Sequence, residues 1–191
     1  MSEHGIHVHG PHDHALEHEA HADPKGLAGR LAVATAVLAT IGAIFSYMGG
    51  LTQANAGLFK NNAAIKKTEA SNQWNYYQAK SSKQNLAERA LELAPEPRRA
   101  FYGDEVKRYK REKEDIKKDA EKLEAEATEW DKRSDEQLHQ HHRWAQATTA
   151  LQVSIALAAI SLLTKSRQLQ LGVYALGAIG VAVGVLAWLH I

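Results

Sequence analysis

Three stretches of the chain carry no charge at all. No Asp, Glu, Lys or Arg occurs from Leu31 to Phe59, from Trp144 to Thr164, or from Gln168 to the C-terminus. About 20 apolar residues at ~1.5 Å rise each match a hydrocarbon core of ~30 Å. A soluble surface helix of that length would show a polar face, and these show almost none. The pattern predicts three transmembrane helices, at roughly 29–50, 145–163 and 169–189. The first is read as a retained anchor: its apolar run is too long for a signal-peptide h-region and lacks a clear small-residue cleavage site.

Between the first two spans the pattern changes to a seven-residue repeat. Leu51, Leu58, Ile65, Asn72, Ala79, Leu86 and Leu93 recur at that interval. So do Tyr102, Tyr109, Ile116, Leu123 and Trp130, with Val106, Ala120 and Ala127 four residues after their partners. A narrow apolar row on this period is the pattern of a coiled coil. Pro95 and Pro97 cannot both sit within one helix, so the chain reverses there. An antiparallel hairpin with its turn at that point pairs Trp74 with about residue 118. The segment following the turn carries acid–base pairs at helical spacing, such as Glu114 with Lys118, which keep an exposed helix soluble. An arm of about 43 residues would extend roughly 65 Å.

The fold class that follows is an all-α membrane protein: three transmembrane helices with a long antiparallel coiled-coil hairpin between the first and second. The expected organisation is a His-rich tail over 1–26, spans over 27–51, 144–164 and 168–191, and a hairpin over 52–143.

The run "ASNQWNYYQAKSSKQNLAE" (Ala70–Glu88), with the later "LHQHHRWAQATTALQVSIALAAISLLTKSRQL", resembles the bacterial membrane proteins grouped as domain-of-unknown-function (DUF) family 4337. The correspondence covers nearly the whole chain and centres on the Gln-Trp-x-Tyr-Tyr-Gln-Ala-Lys motif, Gln73–Lys80. The resemblance implies a bacterial membrane protein and no established activity, cofactor or catalytic residue.

Composition adds little to this picture. The net charge of +1 gives no argument for nucleic acid, and basic residues of the hairpin are interleaved with acidic ones. The absence of cysteine removes disulfides, thiolate catalysis and thiolate metal ligation. Orientation follows from Lys25 and Arg30 before the first span and from Lys165 and Arg167 between the last two. Both favour a cytoplasmic N-terminus and loop, which leaves the hairpin periplasmic in a bacterial inner membrane.

Two histidine clusters are the candidate chemistry. In the tail, His14, His18 and His21 share one face if residues 13–22 are helical, and neutral imidazole is a ligand for zinc, nickel and copper. The alternative is a solvated low-complexity segment. Before the second span, His139 and His142 lie on one helical face while His141 points elsewhere. They would bind metal only with a further ligand, or sense pH. The plainer reading is an interfacial collar, with Arg143 and Trp144 at headgroup level.

The remaining candidates concern interaction. Trp74, Tyr76 and Tyr77 form either a recognition surface or seam packing, and Tyr76 and Tyr77 point to different faces. Gly42, Ser46 and Gly50 are spaced by four, as are Gly180 and Gly184, which permits close helix approach within the chain or between chains. No phosphate-binding glycine loop, HExxH, or nucleophile with a base and an orienting group is present, so no enzyme is expected. The expected partners are the lipid bilayer and either further copies or a larger membrane complex. The expected role is structural, with metal binding or pH sensing as the alternative.

Overall fold

A computed structural model describes residues 26–189. Among the described residues every regular element is an α-helix: α1 (Leu27–Leu93), α2 (Glu96–Thr164) and α3 (Arg167–Trp188). The break between α1 and α2 is Ala94–Pro95, as the two prolines require. Pro97 lies in the first turn of α2, where its missing N–H removes no intrahelical bond. Arg98 N donates to Pro95 O at 2.9 Å, and Arg99 Nε donates to the orphan carbonyl of Ala94.

The second reversal is equally tight. Lys165 adopts a left-handed conformation, φ 49°, and closes the end of α2 by donating its N–H to Leu162 O. Ser166 then caps α3, its hydroxyl accepting from Leu169 N.

The contacts divide the chain into two units. One is the polar segment Ala54–Gln137, in which an arm of α1 packs on an arm of α2. Its contacts run in opposite senses along the two helices, which makes the arms antiparallel. Ser134 Oγ donates to Ala56 O, Phe59 packs on Trp130, Lys66 meets Glu126, and Lys80 meets Glu112.

The row of α1 that α2 covers is not the leucine row that the sequence pattern points to. Ala56, Ala63 and Ala70 are buried, at 7%, 1% and 2% exposure, whereas Leu58, Ile65, Leu86 and Leu93 are exposed at 55%, 47%, 69% and 86%. Leu51, Asn72 and Ala79 are also exposed. On α2 the expected row does face inward, with Val106, Ile116, Ala120 and Ala127 buried. The reason is steric. α2 brings Ser134, Ala127 and Ala120 to the seam, and Ala56, Ala63 and Ala70 run opposite them in the antiparallel register, small against small, so the helices approach closely. That approach brings Ser134 Oγ within 2.9 Å of the Ala56 carbonyl.

The other unit comprises the described part of residues 1–53 together with 138–191. Its cluster of buried residues joins all three helices through Leu31, Ala158, Leu162 and Val173. It begins on α2 at Leu138, so His139–His142 belong to it rather than to the polar arms. Each of the three helices contains a segment long and apolar enough to cross a membrane, by length and composition.

Candidate functional site

Two constellations collect the residues that the sequence singles out. The first is the aromatic motif in the polar arms. A run of Gln, Trp, Asn and Tyr is strongly helical here because it lies deep inside α1, with no breaker near it. Helical spacing sends its side chains to α2 in succession. Trp74 Nε1 donates to Glu124 Oε1 at 2.8 Å, six residues from the expected partner position. Tyr77 packs edge-on against Trp74, with ring centroids 5.6 Å apart, and Lys113 of α2 lies 4.9 Å from the Tyr77 ring centre. Lys80 pairs with Glu112 and lies near the rings of both Tyr76 and Tyr109. Tyr76 is the half-exposed member, Tyr77 the seam-facing one. The motif thus fastens the middle of one arm to the other through polar contacts with aromatic flanks.

These contacts set a pH response. A hydrogen bond from Lys80 is the main cause that holds the Glu112 carboxyl below its ordinary range. Lys67 and Lys60 do the same for Asp131, which they meet at 2.6 and 2.9 Å. A depressed carboxyl contributes stability above its unfolded pKa and loses it as pH falls through the folded value. The arms are therefore expected to melt at a constant temperature near neutrality and at progressively lower temperature below about pH 4. Circular-dichroism melts between pH 7 and 3 check this, and Asp131→Asn should flatten part of the acid limb. An unchanged acid limb in Asp131→Asn would show that the Lys60–Asp131–Lys67 cluster contributes nothing.

The second constellation lies in the apolar unit, where α1, α2 and α3 meet. Trp144, 3% exposed, packs against Phe45 with ring centroids 5.1 Å apart, and its Cβ lies where Gly49 has no side chain. Trp144 is thus a buried residue packed between α1 and α2. Its neighbour His141 turns to α1, where its Nδ1 donates to the Gly49 carbonyl at 2.9 Å. A carbonyl only accepts, so Nδ1 carries the proton and a neutral His141 keeps its lone pair on Nε2. Thr52 Oγ1 donates to the same carbonyl at 2.9 Å. A cleft of about 340 Å³ opens here, lined by Phe45, Gly49, Gln53, His141, Trp144 and Thr148 among others.

His139 and His142 are both exposed, and the His142 ring centre lies 5.8 Å from that of His141. Among the described residues no group of three or more His, Cys, Asp and Glu is placed to hold a metal ion. His14, His18 and His21 lie outside the described residues. The inward turn of His141 has a signal in the sequence. His141 continues the buried seven-residue row Ala120, Ala127, Ser134.

The small residues separate in the same way. Gly180 and Gly184 face inward: a Cβ at Gly180 would press on Leu151 and the Ala147 carbonyl, and one at Gly184 would enter the Phe45 ring. Gly42 is buried beneath Leu151, but Ser46 and Gly50 are exposed, and nothing lies near Gly50. Gly177, not singled out by the four-residue spacing, belongs to the packed stripe and faces Leu38 and Ser154. Ser154 Oγ, fully buried, donates to the Val173 carbonyl of α3 at 2.7 Å.

A family model described as "Domain of unknown function (DUF4337)" matches residues 27–190. No curated protein and no solved structure matches the chain.

Proposed function

The chain belongs to the DUF4337 family, and from that premise we propose that it is a membrane-anchored structural or interaction protein rather than an enzyme. The reading places it in a bacterial inner membrane, with the N-terminus and the Lys165–Arg167 link in the cytoplasm. The polar arms then stand in the periplasm, where they serve self-assembly or support a larger membrane complex.

One observation carries the membrane part. The apolar unit leaves many large apolar side chains exposed, while small residues, beside Leu31, Leu151, Trp144 and Val173, fill much of its interior. Ala147, Ala158, Ser154, Gly177, Gly180 and Gly184 are buried. Val33, Ile44, Ile160, Leu171 and Ile179 are exposed at between 47% and 67%. In water such a surface would be an aggregation liability. In lipid it is the expected arrangement, because small residues drive helix packing where the hydrophobic effect does not. The buried hydroxyls of Ser154 and Ser161, each donating to a backbone carbonyl, fit the same setting.

The interaction part rests on the arms. Their polar, cross-fastened seam suits a rigid spacer. The expected result is that the full chain, gently solubilised from its membranes, has a mass in native mass spectrometry above that of one chain. A single-chain mass, together with no crosslinked product in native membranes, would overturn the assembly reading.

A further inference from the structure

Two outward faces of the polar arms differ sharply in chemistry. On α2 the exposed positions are mostly charged, among them Lys107, Lys118, Glu121 and Lys132. On α1 the exposed face opposite the seam carries Leu58, Ile65, Asn72, Ala79 and Leu86 in one row. The adjacent row, four residues before each of these, is Ala54, Asn61, Thr68, Asn75 and Ser82, also exposed. From Ala54 to Leu86 neither row contains a charge. Both rows keep the seven-residue period that brings one helix against another, and α2 covers neither.

We propose that this outer face of α1 pairs, parallel and in register, with the same face of a second copy of the chain. The lack of charge removes the usual basis for selecting a partner of complementary charge. Asn61, Asn72 and Asn75 instead favour self-pairing. A side-chain amide is both donor and acceptor, so it can satisfy an identical amide across a two-fold axis, and a polar residue at such a position fixes register. Orientation follows from the proposed membrane anchoring, on which this inference partly rests. Two copies inserted the same way present α1 in the same direction, so Leu58 meets Leu58 and Asn72 meets Asn72. A different partner would have to reproduce the same sequence of apolar and amide layers at the same spacing. The leucine row therefore marks a second seam, between chains, while the alanine row forms the seam within one.

The chain has no cysteine, so single substitutions give one thiol per chain. Ile65→Cys and Asn72→Cys are placed on the proposed axis. Asn85→Cys, exposed on the flank of the rows and off the axis, and Lys118→Cys on α2 are controls. A disulfide needs Cα atoms within about 7 Å, which only the axis positions would satisfy. Oxidation of native membranes holding each full-length variant is expected to form dimers at least about tenfold faster at the axis positions than at the controls, from the higher effective concentration there. Adding Leu58→Glu and Leu86→Glu to Asn72→Cys should abolish the crosslink while circular dichroism shows unchanged helix content. Equal rates at all four positions, or none at the axis positions, would overturn the pairing. A carbonate wash of the same membranes separates the two ideas. Extracted protein that still crosslinks selectively at the axis refutes the membrane reading alone, and retained protein that does not crosslink there refutes the pairing alone.

Discussion

Gly184→Ala is expected to destabilise the apolar unit by about 1–3 kcal/mol, the usual cost of forcing an extra carbon into a packed interior. The added methyl would enter the Phe45 ring, which cannot yield easily because its other side meets Trp144. The effect should be specific to that pair. Phe45→Ala on its own removes ring contacts and is also expected to destabilise the unit. In Gly184→Ala combined with Phe45→Ala, however, the methyl occupies space that the ring has vacated. The double variant should therefore cost less than the two single changes added together. Thermal unfolding of the detergent-solubilised chain measures all three. Strict additivity would show that Gly184 and Phe45 do not pack as described.

The second large effect is expected in the polar arms. Ala63→Leu should cost about 1–3 kcal/mol by overfilling the seam, since Ala63 is 1% exposed. Leu86→Ala removes a 69% exposed side chain and should change the stability of the dilute, monomeric chain by no more than about 0.5 kcal/mol. Both are read from helix melting in detergent. The reverse order would restore the leucine row as the internal seam.

That pair of substitutions marks where the sequence was legible and where it was not. The three charge-free runs and the Pro95–Pro97 break announced the helices and the first reversal, because long uncharged apolar runs suit unbroken helices and two close prolines cannot continue one. The seam of α2 was legible too, since its apolar residues are bulky and surrounded by charge. The seam of α1 was not. The seven-residue period is the same for the rows headed by Ala56 and Leu58, and hydrophobicity alone favours the leucines. Which row wins depends on the size of the residues opposite, and Ser134, Ala127 and Ala120 let the row of Ala56, Ala63 and Ala70 approach closely. In the same way His141 was masked by His139 and His142, although its position continues a buried row. Gly49 and Phe45 were invisible for a related reason: their importance lies in what packs against them across the helix pair.

The aromatic motif shows the other side of this. Its unusual composition identified the family, yet its physical role emerged only from the contacts of Trp74 with Glu124 and of Lys80 with Glu112. Those contacts fasten the arms together through Trp74, Tyr77 and Lys80, while the Tyr76 ring is half turned to solvent.

The proposed anchoring has the chain crossing a bilayer, with the arms on one side and the short link between α2 and α3 on the other. Single-thiol variants at Lys118 and Lys165 test this with a membrane-impermeant maleimide on sealed spheroplasts. Lys118→Cys is predicted to react at once and Lys165→Cys only after lysis, with the protein retained through a carbonate wash. Equal labelling of both positions before lysis, or release of the protein by carbonate, would contradict it.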